Sequence, residues 1–277
     1  MNFDRHAGMN LVYREVPLSV FLSAQRSMGV QSIEFWAGFP HFSLESAKQS
    51  DRKGLHSRIR SYGLKTIAVT APSLGYQYQY CPVSIEMARK CRTYFQNALY
   101  LAAELEAPIM TVNSGWSYFD QPAEIGFHHS AELLFELCIV AKGLGIKLAL
   151  ESLTPLESNL ATTICSTQAL LNLIDHDNLG LTIDTGACAC SGETSQIWFQ
   201  HFQDRILHSH FIDGKEQSVG HLIWGTGSLN IRSELAAYET HHYSGYFSSE
   251  LASSLYGKDP VTADKKNVSF LKTVMKQ

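Results

Sequence analysis

No run of about eighteen consecutive apolar residues occurs in this 277-residue chain, so an ordinary membrane-spanning helix is not expected. The opening segment, MNFDRHAGMNLVYREVP, also lacks the basic start and apolar centre of a secretory leader, which predicts a cytoplasmic protein. Cysteine is sparse. Cys81, Cys91, Cys138, Cys165, Cys188 and Cys190 form no dense framework, and reduced thiols without a structural disulfide are expected. Cys188 and Cys190 are close, but a single intervening residue is not the Cys-x-x-Cys spacing of redox or zinc sites; the pair reads as small-residue packing. Positive charge is not in excess either: 22 Lys and Arg against 26 Asp and Glu leave a formal net charge of −4. Phosphate backbones gain no general attraction from that balance, so neither nucleic acid nor a membrane is an expected partner, and a small metabolite fits better. Linkers, low-complexity tracts and charge blocks are missing as well, and one domain over residues 1–277 follows.

What is present is a globular composition, 45% hydrophobic and 17% charged, with ample apolar surface for a core. Short runs rich in β-branched and aromatic residues alternate with longer stretches of helical periodicity, the pattern of βα units around a parallel sheet. Strands are expected at Asn2–Met9, Ser32–Trp36, Lys65–Thr70, Pro108–Asn113, Lys147–Glu151, Gly180–Asp184, Ile206–Ile212 and Gly245–Leu251. Helices are expected at Pro17–Met28, Glu45–Tyr62, Ser84–Glu106, Pro122–Gly143, Thr167–Asp175, Ser195–Phe202, Asn230–Thr240 and Pro260–Val274. Ser84, Pro122 and Pro260 supply helix starts, and Gly29, Gly63 and Gly145 supply exits. Eight units predict an α/β fold, a single (β/α)8 barrel of the TIM type. A doubly wound open sheet is the alternative, disfavoured because no Gly-x-Gly-x-x-Gly follows an early strand. Two connections are long enough to carry function: Ala71–Pro82, with Tyr76, Tyr78 and Tyr80 as a lid or oligomer contact, and Asp213–Leu229, with four glycines.

Catalytic groups of such barrels sit at the C-terminal strand ends. The fifth strand ends at Glu151, the sixth at Asp184, the seventh carries His208-Ser-His210, and the eighth reaches Glu250. Separations of 33, 26 and 40 residues are one βα unit apiece, so barrel closure would turn all four side chains toward one axis. Each alone has a bland explanation: a helix cap for Asp184, an ion-pair partner for Glu250, a hydrogen-bonded core residue for His210. Together, three carboxylates near one axis are prohibitive without a cation or several bases. Three carboxylates and an imidazole suit Mn²⁺ or Mg²⁺ better than a thiolate zinc centre, with Co²⁺ able to substitute. His208 and His210 share a strand face. His210, nearer the mouth, is the expected ligand, and His208 is expected deeper, bonded to a neighbouring polar group.

Three motifs, Ile33-Glu-Phe-Trp-Ala-Gly-Phe-Pro-His41, Glu151-Ser-Leu-Thr-Pro-Leu-Glu-Ser-Asn159 and His221-Leu-Ile-Trp-Gly-Thr-Gly227, resemble those of the xylose-isomerase-like sugar phosphate isomerases and epimerases. The likeness covers essentially the whole chain and is greatest to the fructoselysine 3-epimerases. The related ketohexose 3-epimerases imply that Glu151, Asp184, His210 and Glu250 hold one divalent metal, Mn²⁺ foremost with Co²⁺, Mg²⁺ or Zn²⁺ as substitutes. They also imply that the two glutamates exchange protons with the substrate through an enediolate, that Glu157 contacts the sugar, and that the chain forms a homodimer or homotetramer. Two positions depart from the ketohexose enzymes: a histidine three residues after the aspartate is Ala187 here, and an arginine six residues after the histidine is Glu216. The fructoselysine-type enzymes resemble this sequence at both, which points to C3 epimerisation of a substituted ketose.

Trp36, His41, Trp116 and Trp224 follow the second, fourth and seventh strands, where they would wall a sugar pocket or pack its rim; His41 and Trp116 are taken as substrate contacts. His221 joins them through its motif, and His6 is a weaker pocket candidate. Inosose dehydration and aldose–ketose isomerisation are alternatives on the same site, and a sugar-binding barrel without turnover is the non-enzymatic one. A three-zinc endonuclease on the same fold would need more metal ligands and a basic surface, neither of which is evident.

Overall fold

The structure, a computed structural model, describes residues 1–75, 77–216 and 218–275. The barrel strands are β1 (His6–Met9), β2 (Ser32–Trp36), β3 (Lys65–Thr70), β4 (Ile109–Asn113), β5 (Lys147–Glu151), β6 (Leu179–Asp184), β7 (Ile206–His210) and, after a hairpin of β8 (Asp213–Lys215) and β9 (Ser218–Leu222), β10 (Phe247–Ser249). They pair in parallel and close in the order β1-β10-β7-β6-β5-β4-β3-β2. Helices α1 (Leu18–Ser27), α2 (Gln49–Ser61), α3 (Ile85–Glu104), α4 (Ala123–Gly143), α5 (Ile164–Ile174), α6 (Thr185–Cys190), α7 (Ser195–Phe202), α8 (Ile231–Thr240), α9 (Ser253–Tyr256) and α10 (Pro260–Val274) occupy the connections. The fold is the single TIM barrel expected.

Local chemistry sets the helix limits. Ser84 accepts the Met87 N–H and starts α3, whose residues Cys91, Tyr94, Phe95, Ala98, Leu99 and Ala102 recur at helical spacing and are buried. Fully burying side chains such as Phe95 and Leu99 contributes about 1.5–3 kcal/mol each, and the main apolar core lies where these faces meet the sheet. Helix α5 begins at Ile164 rather than Thr167, because Thr163 and Ser166 cap each other's backbone N–H. Helix α2 starts at Gln49 rather than Glu45, where Asp51 accepts the Lys48 N–H.

Other differences lie around the strands. The first strand starts at His6, not Asn2: the Asn2 side chain accepts the Asp4 N–H and winds Phe3–Arg5 into a 3₁₀ turn. Strand β7 stops at His210, and β10 is shorter than Gly245–Leu251, which leaves Glu250 just past its end. Helix α6 was not expected; Asp184 starts it by accepting the Ala187 N–H. Hairpin β8–β9 organises the glycine-rich connection around Asp213, whose buried carboxylate accepts the N–H groups of Gly214, Gly225, Gly227 and Leu229. A Cβ at Gly227 would lie 2.2 Å from Asp213 Oδ1, so this turn requires glycine. All six cysteines are free thiols.

Candidate functional site

Strand register prepares the site. Asp184 on β6 is level with His210 on β7, His210 is level with Ser248 on β10, and Glu151 on β5 lies beside Thr182 of β6. Glu151, Asp184, His210 and Glu250 therefore converge, and each offers a ligand atom within 4.8 Å of the others. His210 Nδ1 lies 2.6 Å from Glu151 Oε1, 2.9 Å from Glu250 Oε2 and 3.7 Å from Asp184 Oδ2. Asp184 Oδ1 is occupied by the Ala187 N–H at 2.7 Å, whereas its buried Oδ2 has no hydrogen-bond partner among the described residues.

Concentrated negative charge dominates the electrostatics. Burial raises the Glu151 carboxyl to about 7 although His210 opposes it, and burial raises Asp184 against the pull of His221 and His210. At Glu250 burial is outweighed by His210 and His221, and the carboxyl sits below its ordinary value. Burial alone would neutralise His210, yet Glu151, Glu250 and Glu34 hold its pKa well above the usual imidazole range. Three buried carboxylates around one imidazole nitrogen, one oxygen of them unpartnered, fit a divalent cation held by three hard oxygens and a nitrogen.

A cavity of about 510 Å³ opens over this cluster, a size suited to a small ligand. Trp36, Asn113, Glu157 and His221 line it, as does Arg14. A Cβ at Gly38 would come within 2.1 Å of the Trp36 ring, which explains the glycine of that motif. Glu157 accepts the Thr154 N–H and hydroxyl at 3.1 and 2.8 Å, folding its loop so that Glu157 reaches the cavity. Asn159, from the same motif, exchanges hydrogen bonds with the Ser117 backbone and fastens that loop to the one after β4. His221 Nδ1 lies 2.9 Å from the Glu250 carbonyl oxygen and 3.5 Å from Glu250 Oε2. Burial lowers its basicity, but Glu250 and Asp184 lift it to about 9. Its backbone is left-handed, φ 49°, a conformation that costs a non-glycine residue about 1–3 kcal/mol.

The remaining candidates lie elsewhere. His41 does not line the cavity: Nδ1 faces Asn10 at 2.8 Å and Nε2 donates to the Val16 carbonyl at 2.9 Å, tying together the loops after β1 and β2. Trp116 is also outside the lining, with its backbone N–H on Gln79 Oε1 and its ring edge-on to Tyr118. Trp224 is buried and donates from Nε1 to the Phe211 carbonyl, and His6 is buried against Ser249 Oγ. Tyr78 and Tyr80 stack on Tyr94 and Phe95 of α3; Tyr76 lies outside the described residues. Ala187 lines the cavity, and Glu216 is exposed.

Two residues escaped the sequence reading. Arg14 follows β1 and carried no motif. Glu34, fully buried, accepts from Thr70 Oγ1, Thr111 Oγ1 and Ser248 Oγ and faces the Nε2 atoms of His208, at 2.8 Å, and His210, at 3.2 Å. A glutamate inside the apolar run Ile33-Glu-Phe-Trp36 was the available signal, since such a residue is almost never fully buried without partners.

The family model described as "Xylose isomerase-like TIM barrel" matches residues 22–274. A fructoselysine 3-epimerase of Escherichia coli O157:H7 is 26% identical over 248 residues, covering 90% of this chain and 90% of the relative. Among solved structures, an L-ribulose 3-epimerase superposes with a TM-score of 0.80 at 20% identity, over 98% of this chain and 94% of that one. The IOLI protein with a binding zinc atom superposes with a TM-score of 0.78 at 19% identity, over 97% and 96%.

Proposed function

This chain belongs to the xylose isomerase-like TIM barrel family and is an isomerase, and on that premise we propose that it is a divalent-metal-dependent sugar epimerase acting at C3 of a substituted, fructoselysine-like ketose. The observation that carries this reading is the meeting of Glu151, Asp184, His210 and Glu250 at the base of the cavity, the three carboxylates lining it, with Asp184 Oδ2 unpartnered among the described residues. These four residues would hold Mn²⁺, or Co²⁺, Mg²⁺ or Zn²⁺ in its place. A bound cation would stabilise the negative charge that develops on the substrate oxygens as the proton leaves.

Glu151 removes the C3 proton and the C–H electron pair moves toward the neighbouring carbonyl, giving an enediolate. Glu250 then delivers a proton to the opposite face of C3, and the two glutamates exchange roles in the reverse direction. Glu157 and His221 hold sugar hydroxyls, and Trp36 offers an aromatic face. Arg14, a cation on a wall otherwise rich in carboxylates, receives an anionic group of the substituent.

With no helix among the described residues long and apolar enough to cross a membrane, and with six free thiols, a cytoplasmic location fits the reading. The test is the exchange of the substrate C3 hydrogen with deuterated water by metal-loaded protein, together with the appearance of the C3 epimer. Exchange with inversion supports an epimerase. Carbonyl migration would indicate an aldose–ketose isomerase, loss of water a dehydratase, and no exchange with any ketose or fructosamine a sugar-binding barrel.

A further inference from the structure

His208 and His210 point inward from β7, and Glu34 points inward from β2. In the barrel order β2-β1-β10-β7 two strands separate them, so their contacts cross the barrel interior. Glu34 is pinned there by hydroxyls from three further strands: Thr70 on β3, Thr111 on β4 and Ser248 on β10. A carboxylate surrounded by five donors is held ionised and rigid. Glu34, His208 and His210 come close enough to invite reading as a second ion site. The donors already crowd both Glu34 oxygens, however, and the one His210 nitrogen that faces Glu34 would have to leave it.

We propose that Glu34 is the positioning residue of the metal centre: it accepts the Nε2–H of His210 and thereby turns the Nδ1 lone pair into the Glu151, Asp184 and Glu250 cluster. An ionised carboxylate can only accept, so the nitrogen 3.2 Å from Glu34 Oε1 carries the proton in the neutral ring. Nδ1, 2.6–3.7 Å from three carboxylates, is then the nitrogen left to bind a cation. Negative charge behind the ring also strengthens Nδ1 as a donor, and losing such a partner typically weakens metal affinity roughly 10–100-fold. The inference rests on reading those four residues as a metal site.

The test uses Zn²⁺ binding by chelator-treated full-length protein, measured calorimetrically for the wild type and Glu34→Gln, with long-range ¹H–¹⁵N spectra of histidine-labelled protein. The wild type is expected to bind one Zn²⁺ with His210 protonated at Nε2 and metallated at Nδ1. Glu34→Gln is expected to bind roughly 10–100-fold more weakly while its metal-free far-ultraviolet spectrum stays native. A merely structural role would change folding and leave the affinity of the folded protein unaltered. Equal affinity in Glu34→Gln, a proton on His210 Nδ1 of the Zn²⁺-bound wild type, or two Zn²⁺ per chain would each overturn the positioning role while leaving the metal site standing. No binding by the wild type would overturn both. Should Glu34→Gln fail to fold, the wild-type spectrum decides alone.

Discussion

His210 Nδ1 and Glu151 Oε1 stand 2.6 Å apart, a contact that spans from β7 to β5 over the intervening β6. The strand between them contributes Asp184, so three successive strands supply candidate ligands to one cluster. Purified wild-type protein is expected to carry about one divalent cation per chain. His210→Ala and Asp184→Asn are expected to lose it, as read by elemental analysis after dialysis against the metal. Equal metal content in all three proteins would remove the basis for the site.

Glu250 lies just beyond β10, beside both His210 and His221. Glu250→Gln would keep an oxygen for the cation and lose the proposed proton carrier. It should retain metal and slow C3 epimerisation by about 10²–10⁴-fold, the usual contribution of a positioned acid or base. Full turnover in metal-loaded Glu250→Gln contradicts the assignment.

Metal uptake should strengthen as pH rises through neutrality. In the metal-free chain Glu151 titrates near 7 and His210 well above its ordinary value, so both hold protons that a cation must displace. Binding then releases protons, and affinity falls as pH falls. Calorimetry in buffers of different ionisation enthalpy reads the proton number directly; zero released protons at neutral pH is the contrary outcome.

A second pH effect is expected from a carboxyl that does not line the cavity. Burial raises the Asp264 carboxyl from 3.8 to about 6 despite hydrogen bonds donated by Gln25 and Tyr13. Between those values the folded chain keeps a proton that the unfolded chain has lost, so this contribution is whole below pH 4 and is lost as pH rises through 6. Its size is about 3 kcal/mol. Asp264→Asn should flatten the stability profile in that window, measured by chemical denaturation; a slope identical to the wild type would show that Asp264 does not supply it.

Arg14 gives a test of the substituent. Arg14→Leu should raise KM about 10-fold or more for a ketose bearing an anionic substituent, the value of one charge-assisted hydrogen bond, and leave unsubstituted ketoses nearly unaffected. Equal changes for both substrates would assign Arg14 to general packing of the rim.

Much of this was legible in one dimension. Strands β2, β3 and β5 fall at the residues expected, because their apolar runs are bounded by clear turn chemistry. Glu151, Asp184 and His210 end their strands and Glu250 follows its own, so a reading by strand ends finds all four. The shortening of β10 and the short α6 were not legible, since a side-chain cap and the limits of pairing decide them rather than periodicity.

The sequence alone determined the alternation that closes the barrel and the four candidate ligands at its strand ends, because strand period and loop position are local properties. Only the tertiary structure decided that His41 ties two loops together, that His221 adopts a left-handed backbone over Glu250, and that Glu34 stands behind His210. Glu34 and His210 are 176 residues apart in sequence, and no spacing rule along one chain announces which residues will face each other across a closed sheet.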